Sequence, residues 1–316
     1  MLVSIIMPIF NKVEYIDDAI RSVLNLNYRP IEVILVDDAS NDGSYELLLK
    51  WQSREPDYIK IYRHADCCNH GPSESRNLGI KHALGEAICF LDADDMVLPH
   101  RLDAATTILL QRPEIDGVYE AVGMLFDCDR AKTDWGERAL QWPRMHVNNP
   151  DDLLRSILIE KMGMWHINAI LVRKVLFEKI GLFDTKLRIG EDLNMCLRMA
   201  IRGNIIAGNT ESPVGLVRRS RNHTWYPGKF DVYRNIFCLG MVLSWARKKR
   251  NCIDPGRYVV LCEGFKEETI KVLQFLRRER QRMRAIYLAI YAIKMTPSIM
   301  KRRVFWGNLI YCLLSR

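Results

Sequence analysis

The amino-acid sequence predicts an α/β protein: a mostly parallel, Rossmann-like sheet flanked by helices, followed by a basic, helical C-terminal region. Three observations carry that expectation. Short apolar, β-branched runs alternate with helically spaced segments over the first 110 residues, the pattern of strands covered on both faces by crossover helices. Polar clusters fall at the C-terminal ends of these runs, where open α/β sheets bind ligands. The charge is also divided: residues 212–316 carry 22 Lys+Arg against 6 Asp+Glu, a net +16, whereas the chain before them nets −8.

Taken in order, Leu2–Met7 is a buried first strand closed by Pro8. Val13, Ile16, Ala19, Ile20 and Val23 then recur at helical spacing within Asn11–Leu26. Glu32–Val36 reads as a second strand ending in an acidic turn, Asp37–Gly43, with Tyr45–Gln52 as the next helix and Ile59–Arg63 as a third strand. Gly71-Pro72 marks a loop, and Ser73–Leu84 a helix with Ser73 as its expected N-cap. Ala87–Leu91 is a fourth strand with Asp92–Asp95 at its tip, and a helix is expected over Pro99–Leu110. Asp127–Pro150, with Trp135 and Trp142, reads as a long surface excursion. Helices are further expected over Val175–Ile180, Glu191–Ile201, Val232–Ala246 and Thr269–Leu276. The expected division is a domain over residues 1–215 and a basic helical region over 216–316.

Composition limits the function classes. With 48% hydrophobic and 27% charged residues the chain has ample core material and no disordered signature. Nine cysteines without a CxxC spacing argue against a zinc site or a secreted disulfide framework and favour a reducing, cytoplasmic setting. Neither a signal peptide nor a membrane-spanning run of ~18 apolar residues is expected.

Asp92-Ala93-Asp94 carries the chemistry. Two carboxylates just past a buried strand cannot be packing residues, because unpaired buried charge is costly. They suit a hard divalent cation, Mg2+ or Mn2+, held against substrate phosphates. Asp95 reads more simply as an acid before a helix. An EF-hand fails because Met96 and Val97 stand where an oxygen ligand and Gly are needed. An Asp-x-Asp phosphatase would want Thr or Val where Met96 stands, and its motif on the first strand. In Asp37–Gly43, turn formation explains Asn41–Gly43, while two acids at a buried strand tip suit a base N–H or a ribose hydroxyl. Neither GxGxxG nor GxxxxGK[ST] occurs, so a cation rather than a Gly-rich loop must neutralise phosphates.

Together these residues resemble the family 2 glycosyltransferases of the GT-A fold, over about Val3–His223. Ser4–Asn11, with Glu14, is similar to that family's first strand and nucleotide loop, which implies nucleotide contacts for Pro8, Phe10, Asn11 and Glu14. The acidic turn, with Asp37 and Asp38, resembles its uracil-contacting turn, and Gly71–Gly79 its stretch in which an Arg, here Arg76, lies near the nucleotide. Asp92-Ala93-Asp94 is similar to the DxD motif, which implies Asp94 as main metal ligand and Asp92 shared between metal and ribose. Gly190-Glu191-Asp192 resembles the later acidic pair, which implies Asp192 as general base and Glu191 as an acceptor contact. Arg221-Asn222-His223 is similar to an Arg-x-His in which the His, here His223, completes the metal site.

The resemblance implies an inverting, metal-dependent, hexosyltransferase-type enzyme that uses Mn2+ or Mg2+. It would take a nucleotide-sugar donor, UDP before dTDP or GDP, and a saccharide or lipid-linked saccharide acceptor in bacterial cell-surface polysaccharide assembly. A phosphatase and a catalytically inactive nucleotide-sugar-binding module are the alternatives. Trp165-His166 could present a ring to a sugar or belong to the core. Met283–Leu314 mixes Arg282, Arg284, Lys294 and Lys301-Arg302-Arg303 with aromatic and aliphatic residues, which suits either helices lying on an anionic membrane surface or helices packing their apolar faces on the catalytic domain, and suits nucleic acid less well. A cytoplasmic protein is expected, and the lipid-linked acceptor that the resemblance implies tips the choice toward a peripheral position on the inner face of the cytoplasmic membrane.

Overall fold

In a computed structural model, residues 1–126, 141–142 (backbone), 145–187, 189–219 and 232–314 are described. They divide into two compact units, Met1–Leu153 with Met162–Phe230, and Leu154–Lys161 with Asp231–Arg316. The strand Pro213–Arg219 runs through the boundary expected at residue 215 and belongs to the first unit.

The first unit begins with β1 (Val3–Ile9), α1 (Ile16–Leu24), β2 (Ile31–Asp37), α2 (Ser44–Arg54), β3 (Ile59–Arg63), α3 (Pro72–His82) and β4 (Ala87–Phe90). It continues with β5 (Met96–Val97), α4 (Asp103–Gln111), β6 (Gly117–Tyr119), β7 (Ala121–Phe126), β8 (Gln141–Trp142) and α5 (Pro150–Leu158), which belongs to the second unit from Leu154 onward. Then come β9 (Ile170–Arg173), α6 (Leu176–Ile180), α7 (Glu191–Arg202), β10 (Ile205–Ala207) and β11 (Pro213–Arg219). Among the described residues the main sheet has seven strands in the order β10-β6-β9-β4-β1-β2-β3. It is parallel except for β9, which runs antiparallel to both β4 and β6. A second sheet follows the order β5-β11-β7-β8.

Strands β1, β2 and β4 are mainly apolar because helices cover both faces: Ile5, Ile6, Met7, Val33–Val36, Ile88 and Phe90 are buried, and the buried Ser4 and Glu32 satisfy each other by a hydrogen bond at 2.5 Å. Helix α3 lies so close to β1 that a Cβ on Gly79 would collide with Ile6. This close approach positions Arg76, three residues earlier, against the sheet edge.

The structure moves several expected boundaries. Helix α1 starts at Ile16 rather than Asn11, because Asn11 takes a left-handed φ of 53° and Lys12–Tyr15 form a turn. Helix α3 is capped by Gly71, not Ser73: the cap has φ 87°, which Gly tolerates, and Pro72 follows at the first helical position. Helix α4 starts at Asp103, so Asp95 is no helix cap; it precedes the short strand β5. The second sheet and β9 have no counterpart among the expected elements.

The second unit contains α8 (Val232–Lys248), α9 (Pro255–Arg278), α10 (Arg282–Met295) and α11 (Arg303–Leu314). Asp254 caps α9 through the Arg257 N–H at 2.9 Å, with Pro255 in the first turn. Gly264 admits the Leu158 side chain, and Arg302 pairs with both Glu263 and Glu267. On α10, Met283, Tyr287 and Ile290 are exposed one turn apart, and α11 exposes Val304, Ile310, Tyr311 and Leu314. Among the described residues, no helix is long and apolar enough to cross a membrane.

Candidate active site

Parallel register fixes where the expected residues gather. Ile9 of β1 pairs with Asp37 of β2, and Ile6 of β1 with Phe90 of β4. Pro8–Asn11, Asp37–Asp42 and Asp92–Asp95 therefore emerge along one edge.

On the β1–β2 side, Asp38 is buried, and its two carboxylate oxygens accept the His70 and Gly71 N–H groups at 2.8 and 2.7 Å. The Asp37 carboxylate lies 2.9 Å from Arg63 Nε, close enough to pair but not aligned for a hydrogen bond. Asn11 is tied to the acidic turn, donating its N–H to Ser40 Oγ and accepting the Asn41 N–H. Asp42 receives the Val13 and Ser44 N–H groups. Burial tends to raise the Asp42 carboxyl, but these hydrogen bonds hold it below the usual carboxylate range. Phe10 and Glu14 are exposed at the rim, and Pro8 is half-buried.

On the β4 side, Arg76 is the centre. Its Nη2 donates to Asp92 Oδ1 at 2.7 Å and its Nη1 to Glu191 Oε1 at 3.0 Å, so one buried guanidinium joins the tip of β4 to the first turn of α7. Burial disfavours its charge, but Asp92 and Glu191 outweigh that and raise its pKa further. Burial likewise pushes the Asp92 carboxyl up, yet Arg76, His166 and Lys12 hold it below its ordinary value. Glu191 is raised, first by burial and also by Asp192, with Arg76 opposing. Asp192 follows at the second position of α7, half-exposed, its Oδ1 accepting the Leu193 N–H. The structure thus brings Arg76, Asp92, Glu191 and Asp192 together, while His223 lies outside the described residues.

Sequence reasoning missed several participants. Lys12 Nζ rests on Asp94 Oδ2 at 2.6 Å. Asp95 is buried; its oxygens accept the Arg218 N–H at 2.7 Å and the Asn168 Nδ2–H at 2.5 Å. Burial, Asp92 and Asp94 push its carboxyl well above the usual range. His166 accepts the Asn168 N–H at Nδ1, and burial lowers its pKa to about 4. A lone His, Asn or Lys carries no local signal, so only tertiary placement shows these roles. Trp165 is buried and stacked on Tyr119 at 5.2 Å, which makes it core and not a sugar platform.

The donor set fits a hard divalent cation. Asp92 and Asp94 supply carboxylate oxygens, keep 28% and 18% of their side chains exposed, and already attract the Lys12 ammonium. Ligand atoms of Asp92, Asp95 and His166 also lie within 4.8 Å of one another. That trio is the weaker set: with Nδ1 accepting, the neutral His166 ring carries its proton on Nε2 and has no lone pair to give.

Residues 4–176, more than half of the chain, match the family model described as Glycosyl transferase family 2. The chain belongs to that family. An uncharacterized glycosyltransferase of Nostoc sp. is 29% identical over 196 residues, which cover 61% of this chain and 57% of that protein. The minor teichoic acid biosynthesis protein GgaB of Bacillus subtilis is 30% identical over 226 residues, or 70% of this chain and 22% of that protein. The chain thus spans only part of the curated relatives it matches. Among solved structures, S. aureus TarS 1-349 in complex with UDP-GlcNAc superposes with a TM-score of 0.64 at 15% identity, covering 95% of this chain and 91% of that one. The family 2 chain has the GT-A fold expected from its sequence.

Proposed function

We propose that this family 2 chain transfers a sugar from a nucleotide-diphosphate-sugar, in our reading a UDP-sugar, to an acceptor hydroxyl with inversion at the anomeric carbon. The observation that carries the reading is the Arg76 bridge, which joins the Asp92–Asp94 loop to the acidic start of α7. A donor diphosphate at the first and an attacking hydroxyl at the second would then lie on opposite sides of one sugar.

In this reading Pro8, Phe10, Asn11, Glu14, Asp37 and Asp38 line the nucleoside end of the donor. Arg76 places Asp92 by the ribose and diphosphate. Asp92 and Asp94, with His223 as the proposed third ligand, would hold Mn2+ or Mg2+. Bound there, the cation would neutralise the diphosphate as it departs. Asp192 takes the acceptor proton while the acceptor oxygen bonds to the anomeric carbon. The bond from that carbon to the diphosphate oxygen breaks, and its electron pair leaves with the nucleoside diphosphate. Glu191, held by Arg76, contacts the acceptor.

GgaB and the TarS complex support assigning the chain to bacterial cell-surface polysaccharide assembly with a UDP-linked donor. The acceptor would be a saccharide or a lipid-linked saccharide. For the second unit we propose a role on the acceptor side, at the inner face of the cytoplasmic membrane. The exposed Met283, Tyr287 and Ile290 among Arg282, Arg284 and Lys294 support it.

The test is a thermal-shift screen of nucleotide-sugars with Mn2+, followed by transfer assays with the stabilising donor and Asp192→Asn. Donor-specific stabilisation with turnover that Asp192→Asn abolishes is expected. Full turnover in Asp94→Ala or Asp192→Asn refutes the mechanism, and donor binding with no turnover on any acceptor favours the inactive binding module.

A further inference from the structure

We propose that Asn168 is the positioning residue of the Asp92–Asp95 loop, clamping its two ends so that Asp94 projects from its apex. Asn168 sits in the single turn Ile167–Ala169, just before β9, and is buried. Its Oδ1 accepts the Asp92 N–H at 3.3 Å, and its Nδ2 donates to Asp95 Oδ2 at 2.5 Å. One carboxamide thus holds the first and last residues of the loop, across the turn that the Asp95 N–H makes to the Asp92 carbonyl at 3.0 Å. The same residue's N–H fills His166 Nδ1, which sets that ring's tautomer.

The residue type follows from the task. Only a carboxamide of this length accepts from a backbone N–H and donates to a carboxylate at once: Asp lacks the donor, Leu lacks both, and Ser is too short to span them. Asn168 is itself fixed from behind, because its carbonyl accepts Arg101 Nε–H at 3.1 Å and Arg101 pairs with Glu120 at 2.8 Å. Arg101 and Glu120 are both buried, so the clamp is anchored in the core and not on a mobile loop. Groups that orient metal-binding carboxylates in this way control affinity without touching the ion.

The inference rests on the reading that this loop holds a divalent cation against a diphosphate. It is tested on the full chain by titrating Mn2+ in the presence of UDP and following free Mn2+ by electron paramagnetic resonance. Asn168→Leu keeps the branched heavy-atom skeleton and removes both hydrogen bonds, and Asn168→Ser is the fallback should the bulkier first variant fold poorly. Ser4→Ala is the control. Ser4 Oγ is equally buried, donates to Glu32 and accepts the Gly85 N–H, but lies at the opposite end of β1.

The Asn168 variants should bind Mn2+ in the presence of UDP roughly 10- to 100-fold more weakly than wild type. Ser4→Ala should lower the melting temperature and leave Mn2+ affinity unchanged. Wild-type affinity in both Asn168 variants overturns the positioning role, as does an equal loss in Ser4→Ala. A wild-type chain that binds no Mn2+ with UDP present instead overturns the functional reading itself.

Discussion

Replacing Arg76 by Met tests whether one guanidinium neutralises two acids. The substitution keeps an unbranched side chain but removes the one cation that Asp92 and Glu191 both bond. Breaking a buried ion pair by removing one partner costs about 3–5 kcal/mol, because the remaining charge is left uncompensated. Asp92 keeps 28% of its side chain exposed and Glu191 12%, so water recovers part of the loss and the low end applies. About 3 kcal/mol in a chain of this size lowers the melting temperature by roughly 6 °C. The sign with pH follows from the acids. Without Arg76, burial and mutual repulsion push both carboxyls above their unfolded values, so the folded variant binds more protons than its unfolded chain. Its stability then falls as pH rises through that interval, and its deficit against wild type is larger at pH 8 than at pH 5. Differential scanning fluorimetry of both proteins at the two pH values reads this directly. An equal deficit at both refutes the claim that Arg76 acts by neutralising these carboxylates.

Asp192→Asn should lower kcat by roughly 10²- to 10⁴-fold, the usual contribution of a general base, while UDP affinity stays at the wild-type value; parallel transfer and calorimetric titrations check both. Mn2+ with UDP at a hundred times its Kd should stabilise wild type by about 2.7 kcal/mol, and Asp94→Ala should lose most of that gain in the same melting assay. His166 gives a pH signature: its pKa is lowered from 6.5 to about 4, so its contribution is present above pH 6.5 and lost as pH falls toward 4, at most about 3 kcal/mol. Urea unfolding at pH 7.5 and 4.5 should show a smaller difference for His166→Gln than for wild type, and parallel slopes would sink the assignment. Vesicles containing anionic phosphatidylglycerol should sediment wild type, and the triple variant Arg282→Gln, Arg284→Gln, Lys294→Gln should bind them weaker by roughly 1 kcal/mol per lost charge. Equal sedimentation of the two would argue against a membrane-facing second unit.

The parallel half of the sheet was legible because its strands contain buried apolar runs separated by helical spacing, as in Ile5–Met7 of β1, Val33–Val36 of β2 and Ala87–Phe90 of β4. The Ile59–Arg63 strand was also read to the residue, although its Ile-Lys-Ile-Tyr-Arg run is only partly apolar. What stayed hidden was short or set by partners. Strand β5 is two residues, and β6 and β10 are three residues each, too short for a period of two to show. Strand β9 has an apolar run but takes an antiparallel place between β4 and β6, which no local pattern encodes. The helix starts slipped where backbone geometry overrode composition: Asn11 at positive φ delays α1, and Gly71 displaces Ser73 as the cap of α3.

At the site, residues in runs were visible and residues acting singly were not. Asp92–Asp95 shows how far a run alone can mislead, because its three acids looked like two ligands and a cap. Three carboxylates within four residues cannot share one counter-charge, and the chain gives each a different partner. Asp92 takes Arg76, Asp94 takes Lys12, and the buried Asp95 takes two neutral N–H groups. These partners differ in how easily they let go. Arg76 is forked between two acids and buried, so leaving Asp92 would also strand Glu191. Asp95 is enclosed, and both of its oxygens are already engaged. Lys12 holds Asp94 through one flexible ammonium that is 35% exposed, so a divalent cation can displace it at the cost of a single, partly screened contact. The asymmetry of the partners thus favours Asp94 as the principal ligand, with Asp92 held in place beside it by Arg76.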